Sequence, residues 1–177
     1  KSIVFSHNDP NIGNIIKKDS DGKLMMVDYE NCGYNYRGFD IGFFFTLSRI
    51  NLAHPEPPYL LVDYEKFTDE EDMKGWIRRY LFFFKYDWNR IDEEKALVDD
   101  EYLKEYIEKH EKLEDFEAEV EEILRESYVC AMLGQMFATV AVVNMDIKGL
   151  PYSKYEMNRA SYKSYMEFKE KALAFPI

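Results

Sequence analysis

Long apolar runs and cysteines are both scarce in this sequence of 177 residues. The longest apolar candidate, residues 136–143, is about half as long as a transmembrane helix needs to be. No basic start is followed by an apolar segment, so a secretion signal is not indicated. The two cysteines, Cys32 and Cys130, have neither metal-ligand spacing nor a disulfide framework. We therefore expect a cytoplasmic protein with no membrane span, in which both cysteines are small buried side chains.

A basic surface is lacking as well. The formal net charge is −11, and residues 92–126, with 16 acidic and 5 basic side chains, account for the whole excess. Phosphate backbones need a basic surface, so we expect no nucleic-acid partner. A solvated helical face is the favoured explanation of the acidic segment, and a protein that interacts through these acidic helices is the alternative. Hydrophobic residues make up 46% of the chain, which is enough for a core.

The most informative stretch runs from residue 4 to residue 30. It predicts a strand, a polar loop, a strand, a turn containing Asp21 and Gly22, and a third strand. Asp9 and Asn14 have the spacing of a kinase catalytic loop, in which the Asp orients the attacking hydroxyl and the Asn holds Mg²⁺. Asp28 follows the third strand, so the hairpin would bring it towards Asn14. A plain surface hairpin with incidental polar residues is the alternative at this point.

Helical patterns dominate the rest of the chain. We expect helices from Phe39 to about residue 49, from a Thr68 cap, across residues 92–126 with a break near 110–112, and over residues 118–144. After an interruption at residues 150–153, Ser153 would cap a last helix that ends near residue 174. Residues 31–38 are predicted to be a loop. Asp40 lies where a carboxylate could cap the first of these helices, and capping and an active-site role are both open for it.

The polar residues form a recognisable block. His7-Asn8-Asp9-x4-Asn14, then Val27-Asp28-Tyr29-Glu30, then residues 34–42 (Tyr-Asn-Tyr-Arg-Gly-Phe-Asp-Ile-Gly) resemble the C-terminal lobe of choline/ethanolamine kinases. Weaker similarity continues through Tyr152, Tyr155 and Arg159. The resemblance implies an α+β fold: the mainly helical C-lobe of a protein-kinase-like fold, with a small β-hairpin module that carries the catalytic and metal loops. Residues 1–177 would form that lobe, and the N-lobe would be absent from this chain.

The resemblance also implies an enzyme. Its activity would be the phosphorylation of choline or ethanolamine in phospholipid precursor synthesis, with ATP as co-substrate and Mg²⁺ as cofactor. The roles carried over are these: Asp9 as catalytic base, Asn14 and Asp28 as Mg²⁺ ligands, Asn11 and Glu30 in the substrate cleft, and His7 and Asp40 as supports of the loop. Without the loop and the Lys–Glu pair of an N-lobe, the isolated chain is expected to bind Mg-ATP poorly and not to catalyse.

The sequence departs from the family pattern at the substrate wall. Leu47 stands where an acidic residue would meet a cationic head group, and the tryptophan pair of a later helix has no counterpart in residues 133–137. An aromatic cage is the usual binding site for a quaternary ammonium, so the identity of the alcohol stays open. The alternative to an enzyme is a catalytically impaired or non-catalytic binding or dimerisation module with the same fold. A homodimer stays open.

Overall fold

A computed structural model describes residues 2–51, 54–57, 59–67, 69–144 and 154–175 of the chain, except for the side chains of residues 141–144. The chain divides into two compact units. The first, which we call the mixed unit, consists of residues 1–66 and 125–177 and contains strands and helices. The second, the helical unit, consists of residues 67–124. This combination confirms the predicted α+β class with a mainly helical content.

The mixed unit contains short antiparallel strand pairs. Its pairs are β1 (Ile3–Ser6) with β4 (Gly33–Tyr36), β2 (Ile15–Lys17) with β3 (Leu24–Met26), and β5 (Ile50–Asn51) with β6 (Leu61–Val62). The β2–β3 pair is the predicted hairpin: the N–H of Lys18 donates to the carbonyl of Lys23 over 2.8 Å. Gly22 in its turn has a φ of 71°, which glycine adopts without strain.

Strand β4 corrects one prediction, since residues 31–38 were expected to be a loop. Its register places Ile3 opposite Tyr36 and Ser6 opposite Gly33. Tyr34 and Tyr36 alternate with Asn35, but both rings are exposed, so the alternation marks no buried face. The pairing with β1, which lies far away in sequence, produces the strand.

Helix α1 (Arg37–Leu47) packs directly on the part of helix α5 (Leu113–Asn144) that belongs to the mixed unit. A Cβ on Gly38 would lie 2.7 Å from the Cβ of Glu126, and a Cβ on Gly42 would overlap the backbone oxygen of Ser127. Only glycines allow the two backbones to approach this closely. The predicted helix from Phe39 to about residue 49 is therefore present, with both ends about two residues earlier.

A buried arginine fixes α1 and β5 to helix α6 (Lys154–Ala174). Arg49, at 2% exposure, forms an ion pair of 2.7 Å with Glu167, and its second terminal nitrogen donates to the same carboxylate over 3.0 Å. Its Nε donates to the carbonyl of Lys66, and its guanidinium lies 5.1 Å from the ring centre of Phe168. A bidentate arginine–carboxylate contact of this kind fixes the relative orientation of the two side chains and also contributes energy.

The helical unit contains α2 (Glu70–Lys85), α3 (Glu93–Val98), α4 (Asp100–Glu108) and the start of α5 (Leu113–Asn144). The observed cap of α2 is Asp69, which accepts from the N–H of Glu71 over 2.8 Å, whereas the predicted cap Thr68 lies outside the described residues. The break predicted near residues 110–112 separates α4 from α5 and is confirmed. The predicted interruption at residues 150–153, with its Ser153 cap, lies outside the described residues, and α6 ends at the predicted residue. No described helix is long and apolar enough to cross a membrane.

The acidic segment is partly neutralised within the helical unit, because α2 presents basic side chains to it. Lys74 contacts Glu121 at 2.6 Å and Arg78 contacts Glu117 at 2.9 Å. Lys85 lies between two carboxylates, 2.8 Å from Glu111 and 3.1 Å from Glu119. The acidic segment was expected to be a solvated helical face. The structure adds that several of its carboxylates form ion pairs with α2.

Replacing Gly42 by Ala should destabilise the protein by about 1–3 kcal/mol, because the new Cβ overlaps the α5 backbone and α1 must move. The measurement is chemical denaturation of the full-length protein. Gly75→Ala in α2 is the matched control, since its Cβ would meet only Arg79 Nη1, at 3.8 Å. The control should be neutral or gain about 0.5–1 kcal/mol from helix propensity. Equal effects of the two changes would contradict the close packing of α1 on α5.

Replacing Glu111 by Gln should destabilise the protein at about pH 7 and have less effect at about pH 4. Burial acts to raise the pKa of Glu111, but hydrogen bonds from Lys85 and Tyr86 outweigh it and hold this pKa below its ordinary value. Stability from a lowered carboxyl pKa is present above the unfolded-state pKa and is lost as pH falls through the folded-state pKa. Denaturation midpoints across this range provide the measurement. The control is Glu108→Gln, an exposed residue with no ion pair among those described; a pH-independent effect of Glu111→Gln would contradict the prediction.

Candidate active site

The loop that follows β1 is held by one carboxylate of α1. Asp40 accepts hydrogen bonds from the backbone N–H groups of His7, over 2.7 Å, and Asn8, over 2.8 Å. The N-cap of α1 is Tyr36, and no side chain caps that helix end. The structure therefore shows Asp40 as a tie between helix and loop, the role that the resemblance implied, and shows no cap.

Asn8 adopts a left-handed conformation with a φ of 65°. Its side chain donates to the carbonyl of Asn31 over 2.8 Å and accepts from the amide of Asn35 over 2.9 Å. Non-glycine residues in this region are uncommon, and asparagine tolerates it better than most. These contacts, together with that of Asp40, fix the turn immediately before Asp9.

His7 is the first residue of the same loop. Its Nε2 donates to the carbonyl of Val27 over 2.9 Å, and its ring lies 5.2 Å from the ring of Tyr29. A carbonyl can only accept, so the proton is on Nε2. The buried Nδ1 has no hydrogen-bond partner among the described residues. The imidazole thus connects the loop after β1 with the end of β3.

Asp9 and Asn14 are brought together. Asn14 Nδ2 lies 3.2 Å from Asp9 Oδ2 and 3.0 Å from the Asp9 backbone oxygen, while Asn11 Nδ2 donates to Asp9 Oδ1 over 2.9 Å. Both carboxylate oxygens thus accept from amides, which restricts the orientation of the carboxylate. Because Asn14 uses its nitrogen for Asp9, its Oδ1 is the atom left to ligate a cation.

Asp28 lies beside Asn14 along the hairpin. The N–H of Val27 donates to the backbone oxygen of Asn14 over 2.9 Å, and Asp28 is the next residue. Asp28 is exposed and left-handed, with a φ of 67°. Among the described residues no three His, Cys, Asp or Glu side chains form a metal cluster. One carboxylate and one amide oxygen nevertheless fit Mg²⁺, which proteins commonly bind through few side chains together with phosphate oxygens.

A cavity of about 590 Å³ opens beside Asp9 within the mixed unit. Its described lining comes from the loop after β1, from α1, β5, α5 and α6. These lining residues are Asp9, Asn11, Ile12, Gly13, Leu47, Ile50, Asn51, Gln135, Ala138, Met157 and Ser161. Leu47, the expected substitution in the substrate wall, is one of these residues. Asp28 and Glu30 are exposed and lie outside this lining, so the cavity does not unite every predicted site residue.

Sequence reasoning missed most of the far wall of the cavity. Asn51, Gln135, Met157 and Ser161 come from β5, α5 and α6, and no motif connects them. Gln135 carried one usable signal, because it is a lone amide in the apolar part of α5. Most buried side-chain amides have a hydrogen-bond partner, so a lone amide in an apolar segment is informative.

The sequence of the chain is similar to those of known proteins. Residues 1–167 match the family model for choline/ethanolamine kinase. The chain is 25% identical to choline kinase alpha of Mus musculus over 174 residues, which cover 96% of the chain and 34% of that protein. It is 40% identical to a choline/ethanolamine kinase of Mus musculus over 82 residues, which cover 45% of the chain and 21% of that protein. The chain thus spans about a third or less of these relatives.

A solved structure has the same fold. The choline kinase of Cryptosporidium parvum Iowa II superposes with a TM-score of 0.63 at 16% sequence identity. The match covers 97% of this chain and 40% of that one. The expected helical C-lobe with its small β modules is therefore confirmed.

Replacing Asp40 by Asn should loosen the loop, because an amide NH₂ cannot accept from a backbone N–H. We expect a loss of about 1–3 kcal/mol in stability and faster amide hydrogen exchange at His7 and Asn8. Hydrogen exchange on the full-length protein measures both amides directly. Asp19→Asn, in the exposed hairpin turn, is the control and should change neither. Unchanged protection in Asp40→Asn would show that these two bonds do not hold the loop.

Proposed function

The chain belongs to the choline/ethanolamine kinase family, and from that premise we propose that the full-length protein transfers the γ-phosphoryl group of ATP to a small amino alcohol. The observation that carries the proposal is the setting of Asp9. Its carboxylate is oriented by the amides of Asn11 and Asn14, at 2.9 and 3.2 Å, and it faces a cavity large enough for a small alcohol.

Asp9 is the proposed catalytic base. Phosphoryl transfer requires an oriented hydroxyl and a group that accepts its proton as the new O–P bond forms. Either oxygen of Asp9 can accept that proton, and the two amides hold the carboxylate towards the cavity. Asn11 is proposed to act at the substrate cleft through this contact. His7 and Asp40 act on position alone, since both are engaged with the backbone.

Asn14 and Asp28 are the proposed ligands of Mg²⁺, through Asn14 Oδ1 and the Asp28 carboxylate. When bound with ATP, Mg²⁺ neutralises charge on the transferring phosphate. Glu30 follows Asp28 by two residues and is proposed to shape the same end of the cleft. We place the loop over the phosphates and the Lys–Glu pair in an N-lobe outside these 177 residues, which would leave the isolated chain inactive. The cytoplasm remains the proposed location, and phospholipid precursor synthesis the proposed process.

A non-catalytic module is the second candidate. Leu47 lines the cavity where an acidic residue would favour a cationic substrate, and this observation supports a protein that keeps the fold but has changed its ligand. Such a protein would bind a small molecule or a second copy of itself without turnover. Assays of ATP consumption separate the two candidates.

Replacing Asp9 by Asn in the full-length protein should lower turnover by about 10²–10⁴-fold, since the base is removed while the hydrogen-bonding amides remain. The measurement is ADP release with a panel of choline, ethanolamine and related alcohols. Asp19→Asn is the control and should turn over normally. Retained turnover in Asp9→Asn would exclude Asp9 as the base. An inactive wild-type protein across the whole panel would support the non-catalytic candidate.

A further inference from the structure

Gln135 is the unexplained residue of the cavity. It lies in the apolar part of α5, and its side chain is 0% exposed. Neither Oε1 nor Nε2 has a hydrogen-bond partner within the described part of the chain. Gln135 is one of the residues that line the cavity, and its buried amide is shielded from bulk water.

Burial of an unpaired amide opposes folding, since both of its polar ends lose their hydrogen bonds to water. Most buried polar groups in native proteins are paired, so each unpaired one needs an explanation. The α5 backbone at this position is engaged as usual: the carbonyl of Gln135 accepts from Thr139 Oγ1 over 2.8 Å. The helix therefore does not require the amide, and an apolar side chain of equal length would fill the same space.

The rest of the lining narrows the choice of ligand. Among the lining residues that the structure describes, Asp9 is the only charged side chain and none is aromatic. A quaternary ammonium is held by aromatic faces or by carboxylates, and it has no N–H to donate. A primary, secondary or tertiary ammonium differs in one respect, because it can donate at least one hydrogen bond to an amide oxygen.

We propose that Gln135 is a specificity-determining residue, whose amide oxygen accepts a hydrogen bond from an N–H at the end of the alcohol away from the reacting hydroxyl. The proposal rests on the proposed function, in which Asp9, another residue of the same lining, takes the hydroxyl. Leu47 and Ile50 would contact the methylene groups between the two ends. A fully methylated head group leaves the amide unpaired, and sites built around a hydrogen bond reject such analogues strongly.

The test is a methylation series on the full-length protein. Ethanolamine and its N-methyl, N,N-dimethyl and N,N,N-trimethyl (choline) derivatives add one methyl group at each step, and only the last step removes the final N–H. The hydrogen bond predicts a drop in kcat/KM of at least about tenfold at the last step, whereas crowding alone predicts similar drops at every step. Equal values for choline and the dimethyl compound would overturn the proposal.

Gln135→Met is the diagnostic variant, because it keeps length and removes both polar ends. In this variant the drop in kcat/KM from the dimethyl compound to choline should be less than about threefold. The Tm should rise by a few degrees, because the buried unpaired amide has been removed. Met136→Ala, at the exposed neighbouring position, is the control and should leave the series unchanged. The proposal would be overturned if Gln135→Met kept the wild-type pattern of kcat/KM across the four alcohols and had a lowered Tm. Gln135 would then contribute to stability alone.

Ligand-induced changes in Tm keep the inference separate from the proposed function. Millimolar ethanolamine should raise the Tm of the wild type and not that of Gln135→Met, and choline should raise neither. If this pattern appears without turnover, the kinase proposal fails and the role of Gln135 stands. If turnover occurs but does not depend on Gln135, the kinase proposal stands and the proposed role of Gln135 is overturned. The role of Gln135 is also overturned if ethanolamine does not raise the Tm of the wild type.

Discussion

The two hydrogen bonds at Asp40 fix the loop of the proposed catalytic base to helix α1. The carboxylate holds the backbone of His7 and Asn8, and thereby the position of Asp9, against the first turn of α1. Helix α1 is in turn fixed against α5, because Gly42 leaves no space between the two backbones. The loop, Leu47 near the end of α1 and Gln135 on α5 thus form one rigid frame around the cavity. A small shift of α1 would displace all three walls together.

Local strain accompanies this frame. Asn8 and Asp28, one before the proposed base and one at the proposed metal site, both have left-handed backbones. Each such conformation costs on the order of 1 kcal/mol, and strain of this kind is concentrated at functional sites. The hydrogen bonds of the Asn8 side chain to Asn31 and Asn35 offset part of this cost. Stability has thus been given up at the two turns that the proposed chemistry requires.

Local sequence patterns were sufficient where one segment decides its own structure. The hairpin around Gly22, the helix break before Leu113 and the spacing of Asp9 and Asn14 could all be predicted, since turn chemistry and short separations determine them. Strand β4 could not, because its structure comes from a partner about thirty residues away. The cavity wall was missed for the same reason: Asn51, Gln135 and Ser161 meet only after the helices have packed. The contact between Asp40 and the loop is likewise tertiary, so the sequence alone left its role open between two explanations.

The replacement of an acid by Leu47, which the resemblance implies, and the amide of Gln135 would act on substrate choice in the same direction. A carboxylate in the wall would attract any cation, methylated or not, because its field does not depend on an N–H. An apolar wall removes that attraction and lowers the local dielectric, which strengthens the directional bond to a neighbouring amide. Recognition in this cavity would therefore depend on hydrogen-bond geometry more than on charge. A family fold can acquire a narrower substrate range in this way without any change in the loop that carries the proposed base.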